Sequence, residues 1–273
     1  MRSGNPALNE KIFDRETRAA QAGAVGTETR PPVDDTVSPW TPTRPPVGYQ
    51  AMTVGGTISA TAVLLVILMV GGWVGWMQVK TVQGEVSDFP GWLLLPLFAA
   101  LGVAILTIFK PKLARFTSPV YAVLEGVVLG AISHVYEAQW DNIVVQAVGL
   151  TVGVLAMMLF LYATRVIKVT EKLRIGIIAA TGAVFLVYLV SMVLSLFGVG
   201  VPFIHESGPV GIIFSLVVVG IAAMNLVLDF DFIERGAAAG APKYMEWYGA
   251  FGLMVTLVWL YLELLRLLGK VRS

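Results

Sequence analysis

Residues 210–236 read VGIIFSLVVVGIAAMNLVLDFDFIERG, and this stretch decides the fold. From Val210 to Leu228 it is an almost unbroken apolar run, close to the ~20 residues that cross a bilayer. It then meets Asp229 and Asp231. An ionised carboxylate is costly beside hydrocarbon and is tolerated there when paired, protonated or turned to water. On a helix, Asn225 and Asp229 are four apart and share a face, whereas Asp231 points roughly the opposite way, four before Arg235. The pattern puts Asp229 toward the protein interior beside Asn225, and Asp231 with Arg235 at a solvated helix end. A plainer reading, in which both aspartates mark where the helix leaves the membrane, fits the position equally well.

Composition agrees with a membrane protein. Only 14% of the 273 residues are charged, against about 25% in a soluble domain, and the polar residues are segregated. Mean hydropathy is +0.77. The fold class expected is all-α: a polytopic seven-helix bundle in contact with the lipid bilayer. A net charge of +1 points away from nucleic acid as a partner. The absence of cysteine excludes disulfides, thiol catalysis and thiolate metal sites. His134 and His205 are too few for a histidine-rich metal site. There is no Gly-x-Ser-x-Gly, His-Glu-x-x-His or glycine-rich phosphate loop, so no enzyme, catalytic residue or resident cofactor is expected.

Residues 1–50 read as a disordered cytoplasmic tail, with Pro31-Pro32, Pro39, Pro42 and Pro45-Pro46 and too little apolar surface to offset ordering entropy. Asn9 to Ala20 is expected as a short surface helix, and Trp40 and Tyr49 are candidates for the membrane interface. No apolar core follows the first charges, so a signal peptide is not read. Residues 51–273 form the membrane domain, with spans at about 57–79, 91–109, 117–136, 142–163, 174–197, 209–230 and 247–268. Breaks are expected at Pro90-Gly91, Pro111, Pro119, Gly198 to Pro202 with Gly208-Pro209, and Gly236 to Pro242.

Lys and Arg set the orientation. The tail and the loops on its side hold fifteen of the nineteen: six in the tail, then Lys110, Lys112, Arg115, Arg165, Lys168, Lys172, Arg174, Arg235 and Lys243. The other side holds Lys80, Arg266, Lys270 and Arg272. The N-terminus is therefore expected in the cytoplasm of a plasma-membrane protein. The basic C-terminus leaves open whether the last segment spans or is re-entrant. Gly126-x-x-x-Gly130, Gly149-x-x-x-Gly153 and the trio Gly71, Gly72 and Gly75 are read as helix-packing positions.

Two intramembrane carboxylates are candidates for chemistry. Glu125 lies mid-way along the third span, and with Asp229 it is expected to line one hydrated cavity. Oxygen ligands without fixed cations suit Ca²⁺ or a proton-titrated switch, so Asp229 and Glu125 are the metal candidates. Ser133 and Glu137 share a face that could form an outer vestibule, and His134 reads as an interfacial, hydrogen-bonded histidine. His205-Glu206 reads as an exposed turn. Glu246 is expected where an aromatic belt meets water, and Glu263 with Arg266 as an interfacial ion pair.

Three stretches carry a resemblance: FKPKLARFTSPVYAVLEGVVLGAISHVYE (109–137), IVVQAVGLT (143–151) and VLDFDFIERGAAAGAPKYMEWYGAFGLMVTLVWLYLELLRLLG (227–269). Together they resemble the Bax inhibitor-1 (transmembrane Bax inhibitor motif) family, and its actinobacterial branch in particular, whose members begin with a similar Met-Arg-Ser-x-Asn-Pro tail. The resemblance implies seven helices with the last one central. It also implies a pH-sensitive Ca²⁺ leak gated by aspartates on the sixth and seventh helices. Asp229 matches the first aspartate, with Ile233 four residues on; Thr256 stands where the second would be. The expected gating set is thus Asp229, Glu125 and Asp231, with Thr256, Asn225 and Glu246 as partners of the gate. Two other readings stay open: a non-transporting interaction protein that modulates a membrane protease, and a proton-coupled transporter. The orientation is checked by reporters: a fusion at residue 30 reads cytoplasmic and one in the 198–208 loop reads external, and the reverse pattern overturns it.

Overall fold

The structure is a computed structural model and describes residues 15, 17–19, 50–82, 85–88, 90–197 and 208–273. Arg15 and Thr17 to Ala19 are helical, within the stretch expected as a short helix. Apart from Gln50, the remainder of the expected tail, with Trp40 and Tyr49, lies outside the described residues, as do Gly198 to Pro202 and His205-Glu206.

Among the described residues, seven helices are long and apolar enough to cross a membrane. They are α1 (Val54–Trp76), α2 (Leu94–Phe109), α3 (Ala114–Gln139), α4 (Ile143–Ala163), α5 (Glu171–Leu196), α6 (Pro209–Ala238) and α7 (Met245–Arg272). One 3-10 turn leads into α2 (Gly91–Leu93) and another into α3 (Pro111–Leu113). A short antiparallel hairpin, β1 (Lys80–Val82) with β2 (Glu85–Asp88), follows α1 and is an addition to the all-α expectation.

Local chemistry sets the ends. Thr53 caps α1 and Thr170 caps α5, each hydroxyl accepting the N–H three residues on. Pro209 opens α6 at the first-turn position where a missing N–H costs nothing. Gly240, at φ +67°, turns the chain between α6 and α7. Three sequence expectations change here. Pro119, expected at a break, lies inside α3 near its N-terminal end, where the missing N–H costs the helix a single bond. The sixth span was expected to stop near residue 230, but α6 runs on to Ala238. Asp231 therefore sits about two turns inside the helix rather than at a solvated end. The last segment, spanning or re-entrant from sequence, is one uninterrupted helix of 28 residues.

α7 is the most buried of the seven. Every residue from Tyr248 to Met254 is buried, so no face of that stretch is left to solvent or lipid. One side of α7, with Tyr248, Leu253, Leu257 and Leu260, packs with Leu226, Phe230 and Ile233 of α6. The other side, with Ala250, Phe251, Met254 and Val258, packs with residues of α1, α2 and α3. α7 thus stands as a wall between α6 and α3.

α1 and α3 meet backbone to backbone. A Cβ on Gly75 would lie 1.9 Å from the Val127 carbonyl oxygen, and one on Gly130 would lie 1.8 Å from that of Gly72. Small residues permit this approach, and dispersion rewards it where the surrounding lipid is as apolar as the helices. The second glycine pair behaves otherwise: a Cβ on Gly149 or Gly153 would meet nothing within 4 Å. Those two were expected at a close helix contact and are not at one.

The chain entering α1 is fastened to the α6–α7 turn. Met52 N–H donates to the Ala241 carbonyl at 2.6 Å and Lys243 N–H to that of Gln50 at 3.0 Å. Gly130→Val is expected to destabilise the protein by the upper end of the ~1–3 kcal/mol typical of overpacking, or more, because backbone cannot yield. Gly153→Ala is expected to be neutral. Thermal melts of both variants in detergent check the contrast.

Candidate functional site

α5 is apolar apart from its charged first turn, Thr181, Tyr188, Ser191 and Ser195. Arg174, Thr181 and Tyr188 recur every seven residues, which on a helix puts them on one side. Each reaches a different level of the bundle. At the cytoplasmic level of the expected topology, Arg174 Nη2 donates to Asp231 Oδ2 of α6 at 3.0 Å. Arg235 grips the same carboxylate from one turn further along α6, and Glu171 lies 3.4 Å from Arg174. In the middle, Asn225 Nδ2 of α6 donates to Thr181 Oγ1 at 2.8 Å and to the Ile221 carbonyl at 2.9 Å. At the opposite level, the Tyr188 hydroxyl donates to Glu263 of α7 at 2.9 Å and accepts from Arg266 Nη1 at 2.7 Å. The Arg266 guanidinium also pairs with Glu263 at 2.7 Å and lies 4.9 Å from the centroid of the Tyr188 ring.

These contacts define a polar seam along α5, α6 and α7. From Arg174 to Tyr188 the helix rise covers about 21 Å of a hydrocarbon core about 30 Å thick. Asp229 lies inside this span and is 0% exposed. Ile233, one turn along the same face, sits 3.3 Å from where a Cβ on Gly249 of α7 would be. Because α6 and α7 run antiparallel, helix rise then puts Thr256 between the levels of Asp229 and Asn225. Thr256 is buried, and its hydroxyl donates to the Gly252 carbonyl at 3.3 Å. Asp229 therefore occupies the stretch between two arginine-held carboxylates, Asp231 and Glu263.

The structure does not bring Glu125 to Asp229. Glu125 is half-buried on α3, one turn on from Tyr121. The Tyr121 ring meets Phe251 edge-on at 5.1 Å, on the side of α7 away from α6. The single hydrated cavity expected from the sequence is thus divided by α7. Glu246 also departs from expectation. It is 4% exposed, and its carboxylate accepts the Thr53 N–H at 2.9 Å and hydroxyl at 2.8 Å while pairing with Lys243. It caps α1 so closely that a Cβ on Gly56 would lie 2.0 Å from Oε1. Glu137 caps α4, accepting from Asn142 and Val144 N–H, while Ser133 bonds to Tyr261, so the two do not line one vestibule. His134 Nδ1 is hydrogen-bonded to the Trp76 carbonyl, as an interfacial histidine should be.

Sequence reasoning missed Thr181 and Tyr188, and counted Arg174 as a loop charge although it is 3% exposed. The heptad spacing of the three was the available signal. Glu263 and Arg266 do pair, but Glu263 is 2% exposed and so is no surface charge. Lys270, buried too, donates to the Gly211 carbonyl and to Ser215 at the start of α6. Among the described residues, no group of three or more His, Asp or Glu converges as a metal site.

The family model described as Bax inhibitor 1 like matches residues 5–273. Neither a curated protein nor a solved structure matches the chain significantly.

The seam makes a stability test. Asp231→Ala leaves the Arg174 guanidinium buried without its carboxylate, and is expected to cost about 3–5 kcal/mol, as broken buried pairs do. Glu171→Gln, at the exposed side of the same arginine, is expected to cost under about 1 kcal/mol. Equilibrium unfolding in mixed micelles reads both.

Proposed function

The chain belongs to the Bax inhibitor 1 like family of membrane proteins, and from that premise we propose that it is a cation leak of the plasma membrane. The cation is Ca²⁺, the control is by protons, and the route is the seam between α5, α6 and α7. One observation carries the reading: Asp229, a fully buried carboxylate, lies between two ion-paired levels of one polar seam. A channel needs a site favourable enough for an ion to enter and weak enough for it to leave. A single carboxylate with hydroxyl and amide oxygens nearby suits a hard cation under those terms. The Asp231–Arg174 pair acts as the inner closure and the Tyr188–Glu263–Arg266 triad as the outer one. Passage requires each arginine to yield its carboxylate to the cation in turn.

Protonation of Asp229 removes the charge that draws the cation in, so flux declines as pH falls through its titration. Thr256 offers a hydroxyl and no second charge, which makes the pH response shallower than an aspartate pair would give. The other titratable groups along the seam are Glu171, Asp231, Tyr188 and Glu263, each held by a neighbour, with Arg174, Arg235, Arg266 and the buried Lys270 as cations. Glu125 stands apart from this route and acts on it through α7.

The test is Ca²⁺ flux into proteoliposomes across pH. Asp229→Asn is expected to lower flux roughly tenfold, the effect of about 1.4 kcal/mol at one site, and to flatten its pH dependence. Thr256→Asp is expected to steepen it. Asp229→Asn titrating like the parent removes Asp229 as the gate. A parent that passes no ion at any pH overturns the leak and favours the non-transporting interaction protein.

A further inference from the structure

A second concave feature lies away from the seam. It is a cleft of about 540 Å³, within the ~300–1,000 Å³ of small-molecule sites. α1 forms one wall from Leu65 to Trp76, α4 forms the other from Val144 to Leu155, and α3 and α7 form the floor. Its origin is the packing already described. Glycines pin α1 to α3 at backbone distance, whereas α4 seats on α7 and α6. The two walls therefore stand apart, with Gly72 and Gly130 deepening the floor between them.

The lining is almost wholly apolar. The Ser133 and Tyr261 hydroxyls on the floor bond each other at 2.6 Å, and Thr151 on the α4 wall bonds back to the Ala147 carbonyl at 2.7 Å. Such a space is a poor host for water, which needs two to four polar partners. Left empty, it would forfeit dispersion contacts along every wall. Its lips are continuous with the lipid-facing surface: Trp73 is 69% exposed and Val152 58%.

Length selects the occupant. Leu65 to Trp76 and Val144 to Leu155 are each twelve residues, so both walls run for about 16 Å. That is half of a hydrocarbon core about 30 Å thick, the depth of one leaflet. A transmembrane helix from a second copy would need a groove along the whole core. Trp73 and Trp76 stand at the end where α1 finishes, and tryptophan favours the headgroup level, so the cleft opens toward the interface and closes at mid-bilayer. We propose that this cleft is a binding site for one acyl chain of a lipid from the leaflet on the α1 C-terminal side. The chain fills the space between α1 and α4 and so braces the α3–α7 contact at Ser133 and Tyr261.

The test is native mass spectrometry of the full chain released from nanodiscs of a single phosphatidylcholine. The parent is expected to retain one lipid after annular lipids are stripped. Val148→Trp fills the cleft and is expected to cut the retained fraction at least fivefold; Val152→Phe, a smaller change, is expected to lower it in part. Val145→Trp, on the outward side of α4, is expected to retain lipid like the parent. Repeating the release with palmitate added separates sources: a phospholipid mass or a fatty-acid mass both support an acyl-chain site. Equal retention in Val148→Trp and the parent overturns the proposal, as does a parent with no retained lipid. A dimer mass that Val148→Trp abolishes overturns it in favour of a second copy.

Discussion

Hydrocarbon gives helices no hydrophobic reason to prefer one another over lipid, and this constraint shapes the whole bundle. The protein answers it in two ways. α1 and α3 come so close at Gly71, Gly75, Gly126 and Gly130 that no side chain fits between their backbones. α5 does the opposite and holds its neighbours through Arg174, Thr181 and Tyr188, with polar contacts at three levels. Polar contacts of this sort are directional and exchangeable, whereas glycine contacts are dense and fixed. The rigid half of the bundle is therefore α1 with α3, and the half able to rearrange is α5 against α6 and α7.

α7 joins these halves. Its buried faces serve both clusters, and its first turn supplies Glu246 as the cap of α1. A carboxylate at a helix N-terminus satisfies orphan N–H groups and meets the positive end of the helix dipole. The first and last spans are thus tied at one end by charge and hydrogen bonds. Any movement along the seam has to occur about α7, because α7 is fastened to α1 while α5 takes no part in the α1–α3 glycine contact.

The candidate site was legible in part. Asp229 stands out because a carboxylate following a long apolar run must be accounted for, and its face is fixed by its spacing from Asn225. Glu125 stands out for the same reason, but being inside the membrane says nothing about which neighbour it meets. Arg174 was hidden by position, since a basic residue at the edge of a span looks like loop charge until the helix is seen to begin at Glu171. Thr181 and Tyr188 were hidden by type, because single hydroxyls in an apolar span are common and only their seven-residue spacing distinguishes them.

By itself the sequence determined the seven spans and their breaks at Pro90-Gly91, Pro111 and Gly236 to Pro242, and offered the inward face of Asp229 as one of two readings. These follow from length, hydropathy and helical periodicity, which are properties of one segment at a time. Tertiary structure alone decided that α7 parts Glu125 from Asp229, that Glu246 caps α1, and that Gly149 and Gly153 meet no helix. The physical reason is that a helix apolar on every side carries no local mark of which face will meet protein and which will meet lipid. That choice is made by packing among all seven, where backbone approach and the pairing of buried charge outweigh the preference of any single helix.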